Sequence, residues 1–219
     1  SNPKKIGHRV VHNILHSGYA GRVYPINPKG GTLLELPVYR SFAEVDGPID
    51  VASIAVPAPL VFKSVEACAE AGVKVAIIIT SGFSEVGHID EEKRIARFAR
   101  EHGVRVIGPN VFGYWAAGCN LNASFGPSDI RPGNVAIITQ SGAIGVAMIG
   151  KTAAENLGLS AIISVGNKSD VDEADLVEYL MDDPGTGIIL MYIEGVKRGR
   201  RLVEVLRRAT RRKPVIVIK

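Results

Sequence analysis

The sequence has 219 residues, of which 46% are hydrophobic and 22% charged, with a formal net charge of +4. That is the composition of an ordinary globular chain with ample core, as one large domain or two small ones. No apolar run is long enough to span a membrane and no signal peptide is visible. The two cysteines, Cys68 and Cys119, lie far apart without a C-x-x-C, which gives neither a disulfide framework nor a metal signature. The expected setting is therefore reducing and cytoplasmic. The mild positive charge suits an anionic small ligand as well as it suits nucleic acid.

In chain order, Asn2 or Pro3 can open a helix with Ile6, Val10, Val11 and Ile14 on one face and Gly18 as its stop. His8, His12 and His16 recur along it at a spacing of four, but no cysteine or well-placed carboxylate completes a metal set, and a solvated face is expected. A strand, Val23 to Ile26, should follow. In an alternating α/β chain a strand also precedes the first helix, so the first strand of a βαβ unit and most of its glycine-rich turn are expected upstream of Ser1. Asn27-Pro28-Lys29-Gly30-Gly31 reads as a turn, either solvated or able to bring backbone and ammonium to a phosphate.

Val51 to Val56 reads as a buried strand stopped by Pro57-Ala58-Pro59, then a helix from Leu60 to Ala71. Val73 to Ile79 is a strand ending in Thr80-Ser81-Gly82, Asp90 to His102 an amphipathic helix, and Val104 to Ile107 a strand closed by Gly108-Pro109-Asn110. This alternation predicts a parallel sheet with ligand-contacting residues at the strand C-terminal ends. Between Tyr114 and Gly133, Gly, Asn, Ser and Pro crowd together, which reads as an interdomain linker.

The alternation restarts at Val135–Thr139, a strand that runs through Gln140-Ser141-Gly142 into a helix from Ala143 to Leu157. Ser141 and Gly142 serve either as a simple N-cap and tight turn or as a helix start whose free N–H groups and dipole favour a phosphate or carboxylate. A serine nucleophile is not expected, because Thr139 stands two residues before Ser141 where a nucleophile elbow has glycine. Further strands read at Ala161–Val165, Ile188–Ile193 and Val215–Ile218, with helices at Asp172–Met181 and Arg198–Arg208. Glu194, just past a strand end, is either a solvated loop charge or a site residue. Lys197 to Lys213 holds nine Lys or Arg residues. Without interleaved aromatics, a solvated helix face is expected there rather than nucleic-acid binding.

Taken in order, Lys4-Lys5-Ile6-Gly7, Val23 to Gly31, Ala55-Val56-Pro57-Ala58, Ile107-Gly108-Pro109-Asn110, Leu121-Asn122-Ala123-Ser124-Phe125, Gln140-Ser141-Gly142-Ala143, Val165-Gly166-Asn167, Asp170 to Asp175 and Tyr192-Ile193-Glu194-Gly195-Val196 resemble the NDP-forming acyl-CoA synthetases, which include the ADP-forming acetate–CoA ligase α subunits and are related to the succinyl-CoA synthetase α subunit. Each motif is weak alone; the ordered set spans essentially the whole chain. The resemblance implies an α/β architecture, with a Rossmann-like CoA-binding domain at 1–118, a linker at 119–133 and a flavodoxin-like parallel domain at 134–219. It implies interconversion of acyl-CoA, NDP and phosphate with a small carboxylic acid, CoA and NTP through an acyl phosphate and a phosphohistidine. CoA is the ligand this chain would meet. ATP or ADP and Mg2+ are expected through an ATP-grasp domain or β subunit outside the chain, in an oligomer without nucleic acid or membrane partners.

Carried over by residue, the resemblance assigns Ser1 to the end of the glycine-rich CoA loop and Lys29 to a CoA phosphate. Val56, Pro57, Ile79, Thr80 and Ser81 go to the loops lining the CoA arm. Ser141 and Gly142 go to the helix start that holds the phosphoryl group, and Glu194 to the carboxylate that orients the phosphohistidine. None of His8, His12, His16, His88 or His102 falls at the histidine's place, which is expected beyond Lys219. Val146 stands where succinyl-CoA synthetase has a substrate-contacting tyrosine, which points to a different acyl group. The alternative is a CoA-sensing regulatory module of a larger protein, such as a fused acyltransferase.

Overall fold

The computed structural model describes residues 2–219, so the expectation placed on Ser1 lies outside the described residues. Helix α1 (Ile6–His16) starts later than Asn2 or Pro3, because Asn2 Oδ1 accepts the Lys4 N–H at 2.9 Å and holds that peptide in a turn. Val23 to Ile26, expected as a strand, makes only one bridge, between Ile26 and Tyr39. Pro25 has no N–H to give a ladder; its carbonyl accepts from Tyr39 N at 2.9 Å and pairing stops there. A small hairpin follows, β1 (Thr32–Leu33) against β2 (Leu36–Pro37).

The expected alternation then appears as β3 (Val51–Ile54), α2 (Val61–Glu70), β4 (Val75–Ile78), α3 (Ile89–Glu101) and β5 (Arg105–Ile107), with a parallel sheet in the order β3-β4-β5. Val61, Val65 and Cys68, spaced three and four apart, form the buried stripe of α2, and Ile95 and Ala99 that of α3. Both stripes close over Ile54, Ala76, Ile78 and Val106. Burial pushes the Cys68 thiol up to about 12, so it acts as a small apolar side chain.

The second sheet has six strands in the order β11-β10-β8-β9-β6-β7. They are β6 (Gly113–Ala116), β7 (Leu121–Ser124), β8 (Pro132–Thr139), β9 (Leu159–Ser164), β10 (Ile188–Tyr192) and β11 (Val215–Ile218). The four later strands are parallel; β6 runs antiparallel to β9 and to β7. The stretch 119–133, expected as a linker, contains β7, and the antiparallel β6–β7 pair spans residue 118. The polar residues that look like a loop are buried and bonded to one another. Ser124 Oγ donates to Asn122 Oδ1 at 2.7 Å and accepts from Gly126 N at 3.2 Å. Buried polar groups with partners carry no desolvation penalty that would drive the segment to the surface.

Period-two alternation splits this sheet between two cores. Ile137 and Ile162 point with Phe112 and Trp115 toward α4 (Gly142–Ala154), while Ala136, Ile138 and Ile163 point toward α5 (Glu173–Asp182) and α6 (Gly199–Ala209). The basic α6 segment is largely occupied by ion pairs within the molecule. Arg198 binds Asp172 and Asp175, Arg201 binds Asp175 and Glu178, and Arg208 and Arg212 reach Glu178 and Asp182. No helix among the described residues is long and apolar enough to cross a membrane.

The two sheets are joined by α1 and by a clasp. Val10 of α1 packs with Ile77, Ile79 and Val111 at the joint, and buried Asn13 donates to Ser124 O at 2.8 Å and Gly126 O at 3.1 Å. The clasp lays residues 167–171 along 106–109. Asn167 N donates to Pro109 O, Ser169 N to Gly108 O and Val171 N to Val106 O, each at 3.0 Å. Gly166 sits where an added Cβ would lie 2.2 Å from Pro109 O, with φ +50°, so only glycine fits that approach. Asp170, 3% exposed at its side chain, accepts from Arg105 Nε at 2.7 Å, Arg100 at 2.8 Å and Val106 N at 3.0 Å. Burial pushes the Asp170 carboxyl up, but these donors outweigh it and hold it below its ordinary value.

A carboxyl whose folded pKa is depressed contributes stability above its unfolded value and loses it as pH falls through the folded one. Asp170→Asn is expected to cost about 2 kcal/mol at pH 7. Denaturant melts of native and variant should then converge as pH is lowered below about 4. A gap that stays constant down to pH 2 would show that the carboxylate charge contributes nothing.

Candidate functional site

The C-terminal ends of the parallel strands of both sheets face one another across a cavity of about 930 Å³. From the first sheet come Val56 and Pro57 after β3, Ile79, Thr80 and Ser81 after β4, and Asn110 to Phe112 after β5; from the second come Gln140, Ser141 and Gly142 after β8, and Glu194 after β10. The connection leaving β8 runs through α4 to β9 on one side. The connection leaving β10 runs through α6 to β11 on the other. The cavity thus opens at the point where strand order reverses, the usual crevice of an open α/β sheet.

Hydrogen bonds between the loops set the first wall. Thr80 Oγ1 donates to Val56 O at 2.6 Å, and Asn110 N donates to Thr80 O at 3.0 Å. On the opposite wall Ser141 is the N-cap of α4, its Oγ accepting from Ile144 N at 3.4 Å. The cap and the cavity wall are therefore one residue. Gly145 N reaches Ser141 O at 3.0 Å, while Gly142 and Ala143, in the first turn, have no intrahelical acceptor for their N–H groups. With the positive end of the helix dipole they make a position suited to an anion. Phe112, Phe125 and Val146 supply an apolar side.

Glu194 is exposed at the cavity edge, and its main chain is fixed from behind. Gln140 Oε1 accepts from Glu194 N at 2.9 Å and Gly195 N at 3.2 Å, and from Lys168 Nζ at 3.2 Å. Lys168, 3% exposed, pairs with buried Glu173 at 3.1 Å and also donates to Gly195 O. Asn167, one residue earlier, donates to Glu85 and to Glu92 at 2.8 Å, tying the same loop to the first half of the chain. Its bond, with those from the Gly82 and Phe83 N–H groups, holds the Glu85 carboxyl below its ordinary value against the upward push of burial.

Of the residues picked out from sequence, Val56, Pro57, Ile79, Thr80, Ser81, Ser141, Gly142 and Glu194 share this cavity. Lys29 does not line it. It is exposed on the Asn27–Gly30 turn, its N–H bound to Asn27 Oδ1 at 3.0 Å. Sequence reasoning did not single out Gln140, Lys168, Phe112 or Phe125 as site residues. Gln140 lay within a quoted motif and Lys168 next to one, but their convergence depends on strands far apart in the chain. The row of His8, His12 and His16 is a stack of rings on α1, with centroids of the latter two 3.9 Å apart.

Two α/β units meet strand-end to strand-end, with a helix N-terminus and a carboxylate across from apolar loops, which is the crevice geometry in which open α/β folds take ligands. Comparison with known proteins specifies it further. A CoA binding domain matches residues 1–114, and a succinyl-CoA ligase like flavodoxin domain matches 132–219. The I subunit alpha of acetate–CoA ligase (ADP-forming) from Pyrococcus furiosus is 46% identical over all of this chain and 49% of its own length. The acetate–CoA ligase (ADP-forming) of Methanocaldococcus jannaschii is 40% identical over 98% of this chain and 30% of its own. A dinucleotide-forming acetyl-coenzyme A synthetase 1 of Ca. Korarchaeum cryptofilum, solved with phosphate and ADP, is 48% identical with a TM-score of 0.98 over all of this chain and 48% of that one. The chain belongs to the NDP-forming acyl-CoA synthetase family. It spans about half or less of the length of these relatives.

Behind the second wall, Gly145 of α4 leaves no room for a side chain, since an added Cβ would lie 2.7 Å from Phe112 Cε1 and 2.8 Å from Thr139 Cγ2. Gly145→Ala is expected to push Phe112 toward the cavity and to cost about 1–3 kcal/mol by overpacking. Thermal melts together with near-UV circular dichroism would check this; a native-like melt would mean the neighbours yield freely.

Proposed function

We propose that this chain forms the CoA-binding and phosphoryl-handling part of an ADP-forming acyl-CoA synthetase. Such an enzyme interconverts acyl-CoA, ADP and phosphate with a small carboxylic acid, CoA and ATP. The observation that carries the reading is that the loops after β3 and β4 share one cavity with the start of α4 and with Glu194. The cavity is large enough for the thiol end of an extended arm and for a small acyl group beside it. Val56, Pro57 and Ile79 offer apolar contact, and Thr80 and Ser81 offer polar contact, to such an arm. Lys29, exposed on its glycine-bearing turn, suits a phosphate at the outer end of the same ligand.

The N–H groups of Gly142 and Ala143 suit the charge of a transferring phosphoryl group, and Ser141 holds that turn in place. Glu194, at the cavity edge, suits the role of accepting a hydrogen bond from an entering imidazole and fixing its tautomer. The histidine would lie in the loop that follows β11, while the nucleotide and its Mg2+ would come through an ATP-grasp domain or β subunit in an oligomer. That the Korarchaeum relative was solved with phosphate and ADP supports the use of a nucleotide. A reducing cytoplasmic setting agrees with the free thiols of Cys68 and Cys119.

Isothermal titration of the native protein with CoA, against adenosine as control, is expected to give saturable binding to CoA alone. Glu194→Gln is expected to lower phosphoenzyme formation from ATP by at least about tenfold while leaving CoA binding intact. No CoA binding would reduce the family likeness to one of fold. Phosphorylation at the native rate would remove Glu194 from the site.

A further inference from the structure

We infer that Lys168 is a positioning residue for Glu194, acting through Gln140 and the Gly195 carbonyl. An ammonium has three N–H donors and no acceptor. At Lys168 all three find oxygen: Glu173 Oε1 at 3.3 Å, Gln140 Oε1 at 3.2 Å, and Gly195 O. Charge neutralisation needs only the first of these. The other two lie on the two strand-end turns that meet at the cavity, after β8 and after β10.

The bonds close a ring. Lys168 grips the Gly195 peptide by its oxygen, and it also grips the oxygen of Gln140 that receives the Glu194 and Gly195 N–H groups. Gln140 is itself fixed, since its N–H donates to Tyr192 O at 3.0 Å. A rotation of the Glu194–Gly195 turn must therefore break bonds to a buried cation, where unmade hydrogen bonds cost most. Lys168 also sits at φ +53°, a left-handed backbone uncommon for a residue with a side chain. That backbone aims the lysine inward, under the cavity floor. Its carbonyl is held in turn by Lys197 Nζ at 3.0 Å, so the whole tight turn is braced.

The consequence for reactivity rests on the function proposed above; the consequence for geometry does not, and the test separates them. The double variant Lys168→Met with Glu173→Gln removes both charges and leaves neither orphaned. Hydrogen exchange at the Glu194 and Gly195 amides, read by NMR in the native protein and the variant, is expected to quicken about tenfold as those bonds weaken. Phosphoenzyme formation from ATP is expected to slow by about 10²-fold from misplacement of Glu194, with CoA affinity unchanged. Lys168→Gln with Glu173→Gln keeps a hydrogen-bonding pair at the buried site but has too short a reach to hold Gln140 and Gly195 as well, and is expected to release the same two amides; it decides the matter if the methionine variant fails to fold. Amides as protected as in the native protein, or native-rate phosphorylation in the variants, would overturn the inference. A native protein that takes no phosphate from ATP would overturn the proposed function instead, and exchange at the two amides would still decide the role of Lys168.

Discussion

Everything at the cavity depends on how 167–171 lies against 106–109. Two separate sheets with their strand ends facing each other have no intrinsic reason to hold that distance. Here the distance is set by three main-chain hydrogen bonds, by the close approach at Gly166, and by a buried carboxylate, Asp170, that takes two arginines and an amide of the first sheet. A buried carboxylate is costly without donors and strongly directional with them. The segment thus works as a rigid spacer rather than a hinge, and the residues it carries are fixed relative to both halves.

The same segment faces both ways. Asn167 and Asp170 turn toward the first half and Lys168 toward the second. One short turn sets the separation of the two walls and the orientation of the turn that bears Glu194. Farther out, the α5–α6 ion pairs hold the outer layer without touching the cavity, and most are partly exposed, so they contribute modestly.

Much of the architecture was legible because the signals were local. Val51–Ile54, Val75–Ile78 and Val215–Ile218 are short β-branched runs, and α2 and α3 show apolar residues at helical spacing; each element lies within a few residues of the expectation. The failures have physical causes. Val23 to Ile26 is apolar enough for a strand, but pairing is a property of neighbours, and Pro25 removes a donor. The strand β7 was hidden because Asn122 and Ser124 are buried by satisfying each other, which no hydrophobic pattern reports. Strand-end position brings Val56, Thr80, Ser141 and Glu194 to one cavity, because that geometry belongs to the fold class. Lys168 could not be read that way, since its three acceptors come from residues 140, 173 and 195. Lys29, which the resemblance assigned to a CoA phosphate, stands on an outlying turn away from the cavity.

The place of α1 has a consequence for how the chain is made. This helix precedes the first sheet in sequence but packs on β7, and Asn13 finds its partner 111 residues later, at Ser124. As the polypeptide leaves the ribosome, α1 emerges well before β7, so the part of its surface that β7 covers stays open until the whole first sheet has been synthesised. Such a long-range contact is slow to close and leaves hydrophobic surface open in the meantime. The two sheets are therefore not two beads that fold one after the other; the first is finished only when the second has begun.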